Sequence, residues 1–230
     1  MQPVTPSEGL GVLHLFCDRG PEVDGAAVVR AVEACRADGH QVVTFAVLGH
    51  KAELGFMALG PDLWRLQQLQ AELVAAGLVL VDSYVSLTEV SEYSRGMPPE
   101  ALRERLYPTL PPPGKTVMCF YPMSKKREGD QNWFVLPFER RKELMYGHGR
   151  TGRECAGRVV QLITGSTGLD DWEWGVTLFA ADPVDLKAIV YQMRFDEASA
   201  LYADFGPFTT GLIAPIEEVL ERLGVRWEHP

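Results

Sequence analysis

His148 stands between two glycines, Gly147 and Gly149, just beyond a helical stretch Phe138–Tyr146 and on the face of Leu144 and Met145. Small neighbours let a flat macrocycle approach an imidazole, and a neutral ring nitrogen binds transition metals. The same residues also read as a helix that Gly149 stops, with His148 satisfying the last carbonyls and the helix dipole. Tyr121 ends an apolar strand before Pro122, so Val117, Cys119 and Tyr121 share one face and Met118 and Phe120 the other. There the phenol is either a redox-active group or a core side chain with its hydroxyl bonded. Lys125-Lys126-Arg127 follows at once, three cations that suit a ligand carrying carboxylates or that form a solvated turn.

Three further positions carry chemistry of the same kind. Arg105, in Arg-Glu-Arg-Leu-Tyr-Pro108, can fork onto a carboxylate or lie on the surface of a short helix. Gln161 sits inside the apolar strand Val159-Val-Gln-Leu-Ile163, where a buried amide must bond a neighbouring strand or contact a ligand. Trp133, Trp172 and Trp174 read as core residues. Gly147-His-Gly-Arg-Thr-Gly152 is no phosphate loop, because it lacks the Gly-Lys-Ser/Thr ending and follows a helix instead of a strand.

The elements that must position these side chains repeat. In residues 1–112, strand Gly11–Cys17, helix Ala26–Ala37, strands Gln41–Leu48 and Glu53–Leu59, helix Asp62–Ala75 and strand Ser83–Val90 follow one another, with a turn at Gly49-His50-Lys51. In residues 113–230 the order returns as strand Thr116–Tyr121, helix Phe138–Tyr146, strands Arg158–Thr164 and Trp172–Phe179 and helix Pro183–Arg194, then a last helix Ile213–Arg222. Each half is a ferredoxin-like β-α-β-β-α-β unit, and the expected α+β fold is two such halves in tandem, forming a dimeric α+β barrel as one structural unit.

Composition narrows the function classes. With 46% hydrophobic and 23% charged residues, the 230-residue chain has the make-up of a soluble globular protein. A formal charge of −9 disfavours nucleic acid and anionic membrane as partners. Met1–Glu8 lacks the pattern of a secretory signal and the longest apolar run, Leu73–Val81, is too short to span a bilayer, so a cytoplasmic protein is expected. Cys17, Cys35, Cys119 and Cys155 have neither zinc nor disulfide spacing and read as reduced, buried residues.

Taken in order, Tyr121-Pro-Met-Ser-Lys-Lys-Arg127, Asn132-Trp133, Gly147-His148-Gly149, Gln161-Leu-Ile-Thr-Gly-Ser166, Asp170-Asp-Trp-Glu-Trp-Gly-Val-Thr-Leu-Phe179 and Met193-Arg-Phe-Asp-Glu-Ala-Ser199 resemble the coproheme decarboxylases of the chlorite dismutase superfamily. The resemblance is strong from Arg105 to about Gly211; before that it rests on the repeat plan and the Tyr84–Tyr93 segment. It implies a homopentamer that oxidises iron-coproporphyrin III (coproheme, both substrate and redox cofactor) with hydrogen peroxide, giving haem b, with coproporphyrin ferrochelatase as a transient donor. It further implies His148 as proximal iron ligand and Tyr121 as the radical-forming catalytic residue. Arg105, Pro122, Met123, Ser124, Lys125 and Ser199 would hold the carboxylates, and Gln161 would face the open side of the iron. True chlorite dismutases carry Arg where this chain has Gln161, which lacks the charge to steer an oxychlorine anion. A haem carrier without catalysis would need neither Tyr121 nor Lys125. Some relatives carry a distal His just before the Arg-Leu-Tyr-Pro segment; here the stretch is Leu102-Arg-Glu-Arg105, leaving Glu104 or water to deprotonate peroxide.

Overall fold

The computed structural model describes residues 2–94 and 96–227. Its first unit contains β1 (Gly11–Arg19), α1 (Gly25–Ala37), β2 (Gln41–Leu48), β3 (Leu54–Gly60), α2 (Leu63–Ala75) and β4 (Leu78–Thr88), with strands side by side as β2-β3-β1-β4. After α3 (Pro99–Leu106) come β5 (Val117–Lys125), the short hairpin β6 (Arg127–Glu128) and β7 (Gln131–Asn132), α4 (Phe138–Arg153), β8 (Val159–Gly165), β9 (Trp174–Ala180) and α5 (Pro183–Met193). The chain ends with α6 (Glu197–Ala200), β10 (Ala203–Phe205), β11 (Thr209–Ile213) and α7 (Ile216–Arg222). The second unit has strand order β8-β9-β5-β11. Pairing of β11 with β2 and of β4 with β8 joins the two four-stranded sheets, so the α+β barrel closes within one chain and β10 merely extends the edge of β5.

Local chemistry explains the helices. Asp24 caps α1 by accepting from Ala27 N–H, and Val28, Val29, Val32 and Cys35 recur at helical spacing on the buried face. Gly39, at φ +81°, takes the left-handed conformation that ends it. Asp62 and Asp182 cap α2 and α5 in the same way. Alternation along the strands separates the barrel interior from the cores that lie under the helices. Val12, Phe16, Phe45, Met57, Tyr84, Met118, Phe120, Leu162 and Phe179 fill the barrel, while Cys119, Tyr121, Val176 and Leu178 look outward under Leu186 and Ile189 of α5. The four cysteines are free and buried. No described helix is long and apolar enough to cross a membrane.

Three expectations need correction. The helix expected to finish near Tyr146 runs through Gly147, His148 and Gly149 to Arg153, so Gly149 is no stop. The second unit closes with β11, a strand the sequence did not reveal, and the helix expected from Ile213 starts at Ile216. The strand expected at Ser83–Val90 begins at Leu78 and absorbs part of the apolar run. Packing decides all three, since a five-residue Thr-Thr-Gly-Leu-Ile segment has little strand signal until β2 and β5 flank it.

His14 lies wholly buried inside the barrel, its Nε2 3.1 Å from Thr177 Oγ1, its ring stacked on Phe120 at 4.2 Å and its Nδ1 unpartnered among the described residues. Burial lowers its pKa from 6.5 to about 3. The unfolded chain therefore binds a proton that the folded barrel refuses, and stability present above pH 6.5 is lost as pH falls toward 3. The expected slope is about 1.4 kcal/mol per pH unit. Urea unfolding at about pH 6.5 and about pH 4.5 should show it in the parent and lack it in His14→Phe; equal slopes would mean that the ring charges inside the fold.

Candidate functional site

The strands lay down one wall of a recess. Register places Tyr121 opposite Val176 and Val176 opposite Ile163, a row across β5, β9 and β8, with Gln161 one step away opposite Leu178. Because side chains alternate, these residues share the outer face with Met123. Gln161 and Ile163 are exposed on that wall, so the amide is not the buried, partner-seeking group that its apolar strand suggested. Val190, Met193 and Arg194 from the end of α5, His148 from α4, Ser199 from α6 and Phe205 and Phe208 complete the recess. The cavity they enclose is about 50 Å³, well below the roughly 300–1,000 Å³ usual for a small-molecule site, so a larger ligand must part its walls.

His148 is oriented by a carboxylate. Asp196 is the N-cap of α6, accepting from Ser199 N–H at 3.2 Å, and its Oδ2 also accepts from His148 Nδ1 at 2.8 Å. Ser199 Oγ sits 3.3 Å from the same oxygen and 3.4 Å from His148 Nδ1. Burial pushes the Asp196 carboxyl upward, but the bonds from His148 and Ser199 outweigh it and hold it below the ordinary carboxylate range. With Nδ1 committed, Nε2 is the ring nitrogen left to bind a metal, in the tautomer that a carboxylate partner enforces. Gly147 and Gly149 keep this side open, since an added Cβ would meet only Asp196 Oδ1 at 4.0 Å or Arg153 Nη1 at 3.7 Å. In donor chemistry, apolar walls beside one carboxylate-held imidazole suit an iron porphyrin, which brings its own equatorial ligands and needs one axial donor. No group of three or more His, Cys, Asp or Glu that would hold a bare metal ion occurs among the described residues.

Tyr121 is buried to 9% exposure, stacked on Phe208 at 4.4 Å and met edge-on by Phe205 at 5.8 Å. Burial pushes its phenol well up from the ordinary value, the Cys119 thiol acts in the same direction, and Arg194 opposes them. A phenol so placed stays protonated and gives up its hydrogen only as an electron together with a proton. Arg194 and Asp196 were not singled out by residue chemistry; Asp196 three positions before Ser199 is the one signal present, that of a helix N-cap.

Of the expected site residues, Tyr121, Met123, His148, Gln161 and Ser199 line the recess. Pro122, Ser124, Lys125 and Arg105 do not line it. Arg105 is exposed on α3, with Nη1 3.3 Å from Ser94 Oγ. Ser124 Oγ accepts from Glu173 N–H at 3.2 Å, and the Pro122 carbonyl accepts from Gly206 N–H at 2.8 Å. Trp133 is buried, as its core reading required. Glu104 is exposed on α3.

Lys125 is buried, donating from Nζ to the Ala198 carbonyl at 2.9 Å with the ammonium 4.2 Å from the Trp133 ring centroid. It thereby ties β5 to the segment that carries Asp196 and Ser199. Burial lowers its pKa from 10.5 to about 8, against the opposing pull of Asp196 and Glu173. The unfolded chain holds this proton more tightly, so stability rises as pH climbs from 8 to 10.5 and the burial cost is full below 8, about 3 kcal/mol. Lys125→Met removes that cost and forfeits one hydrogen bond of about 1 kcal/mol, so the ligand-free variant should gain about 2 kcal/mol, roughly 5 °C in Tm at neutral pH. A calorimetric scan showing a lower Tm would mean that the ammonium contributes net stability.

The family model described as Chlorite dismutase matches residues 24–214. A solved structure from Thermus thermophilus, described as a novel heme-binding protein, is 37% identical and superposes with a TM-score of 0.83, covering 97% of this chain and 100% of that one. A mutant chlorite dismutase from Candidatus Nitrospira defluvii superposes at 0.75 with 19% identity, covering 94% and 96% of the two chains, a likeness of fold.

Proposed function

Given that this chain belongs to the chlorite dismutase family, a haem-binding fold, we propose that it is a coproheme decarboxylase, converting iron-coproporphyrin III to haem b with hydrogen peroxide. One observation carries the reading: a carboxylate-oriented imidazole, His148, and a buried phenol, Tyr121, line the same apolar recess. In this proposal His148 Nε2 is the proximal ligand, Gln161 faces the open side of the iron, and Arg105, Lys125, Ser199 and the Pro122–Ser124 segment hold carboxylates. Arg194 supports the same role, because its guanidinium lines the recess and acts on the Tyr121 phenol. Seating of propionates requires Lys125 to exchange the Ala198 carbonyl for a carboxylate.

When bound, iron-coproporphyrin III supplies the oxidising power of peroxide at the recess. Each decarboxylation converts one propionate, one hydrogen peroxide and one proton to one vinyl group, one carbon dioxide and two waters, with two electrons leaving the side chain. The chain's own part is to hold the propionate against Tyr121. The phenol loses one electron and one proton, and the resulting phenoxyl takes a hydrogen atom from the propionate and becomes phenol again. Loss of the second electron then releases carbon dioxide and leaves the vinyl. Positioning is where the protein contributes most, since an aligned hydrogen donor and acceptor need no diffusive encounter.

Chlorite decomposition is the weaker reading, because Gln161, and not a cation, projects from β8 into the recess. A haem carrier has no use for a phenol kept protonated at the site. The assembly we propose is a homopentamer receiving coproheme from coproporphyrin ferrochelatase, on the strength of the resemblance. The deciding experiment adds iron-coproporphyrin III to purified protein, titrates hydrogen peroxide and follows the porphyrin by mass spectrometry. Stepwise loss of two carboxyl groups to haem b is expected; tight binding with bleaching alone would turn the assignment to a carrier or another peroxidase-like activity.

A further inference from the structure

Pro122 interrupts one edge of β5. Val117–Phe120 pair with β11 and Met123–Lys125 pair with β10, but proline has no N–H to offer between them. Its carbonyl alone is met, by Gly206 N–H at 2.8 Å. The partner strand is therefore split, and the chain leaves the ladder as Phe205-Gly-Pro-Phe208. This connector is tightly seated, since a Cβ on Gly206 would lie 2.6 Å from Pro122 Cγ and 3.0 Å from Trp172 Cζ2.

Both of its phenylalanines turn onto Tyr121. Phe208 lies nearly parallel to the phenol, at 25° and 4.4 Å, while Phe205 stands at 63° and 5.8 Å. The clamp comes from the other half of the molecule: Lys51, in the turn between β2 and β3, donates its ammonium to the Phe208 carbonyl. Lys51 does not line the recess, and it reaches Tyr121 through the connector and through its charge on the Cys119 thiol.

We propose that Phe208, clamped by Lys51, is a positioning residue that fixes the plane of the Tyr121 ring and keeps water from it, so that the phenoxyl meets only a propionate held in the recess. The inference rests on the decarboxylase reading for its last clause. The raised phenol pKa agrees with it, the Cys119 thiol adding to burial and the Arg194 guanidinium working against both.

The test uses ligand-free protein carrying 13Cζ-tyrosine, with the Tyr121 resonance identified by its loss in Tyr121→Phe, together with coproheme conversion. Phe208→Leu should ionise Tyr121 at a pH where the parent's 13Cζ resonance still holds its protonated position. It should also slow peroxide-driven conversion about tenfold at saturating coproheme, so that the loss is read in turnover and not in occupancy. Lys51→Met should act in the same direction and less, and Phe208→Tyr, which keeps the stack, should restore the parent values. A folded Phe208→Leu variant with an unmoved Tyr121 resonance, or a shifted resonance with undiminished conversion, overturns the proposal. If Phe208→Leu does not fold, a Tyr121 resonance that responds to Phe208→Met no more than to the charge loss in Lys51→Met overturns it. Should the parent bind coproheme without converting it, the decarboxylase reading falls, and the titration alone decides whether the connector holds the phenol.

Discussion

Tyr121→Phe is expected to bind coproheme within about threefold of the parent and to lose decarboxylation by about a thousandfold or more. The contrast follows from what the substitution removes. Stacking on Phe208 and edge contact with Phe205 involve the ring alone, and phenylalanine keeps both. No hydrogen bond from the Tyr121 hydroxyl is found among the described residues, so its deletion orphans no partner and costs little stability. What disappears is the only hydrogen that the ring can give and take back. Stopped-flow mass analysis of porphyrin after one equivalent of peroxide reads the result, and haem b formation at the parent rate would remove Tyr121 from the chemistry.

His148→Ala is expected to abolish axial nitrogen ligation of bound coproheme while leaving a measurable affinity for the porphyrin. The iron–histidine stretch in the resonance Raman spectrum of the ferrous form should vanish, and added imidazole should restore a nitrogen ligand, because alanine leaves room where the ring stood. Affinity should fall by about tenfold to a hundredfold, the remainder coming from apolar walls and carboxylate contacts. Asp196 should not dominate the outcome, since Ser199 N–H and Oγ still engage its carboxylate after the imidazole is gone. An unchanged ligation spectrum would assign the iron to another donor.

These two residues also show how far residue chemistry reached. Tyr121 before Pro122 and His148 between glycines stood out on local grounds, and both line the recess. Each nevertheless had an ordinary structural reading that the sequence left open, because a stacked phenol and a helix-ending imidazole look alike in one dimension. For His148 the decisive partner is Asp196, 48 residues away and on a different helix. For Lys125 the tertiary structure changed the picture: the cation expected beside a carboxylate is turned to Trp133 and the Ala198 carbonyl, while Arg194, unremarked in sequence, lines the recess.

By itself the sequence determined the first β-α-β-β-α-β unit, the order of the second up to its last strand and the two-residue alternation of strand faces, because these depend on periodicity and on turn-forming residues within a few positions. It also carried the motifs whose order resembles a known family. Only the tertiary structure decided that β11 exists, that α4 continues through its glycines, that the barrel closes through β11–β2 and β4–β8, and that Asp196 and Phe208 complete the surroundings of His148 and Tyr121. The reason is physical: a weak strand or a glycine-bearing helix is stabilised by what packs against it, and those partners come from distant parts of the chain.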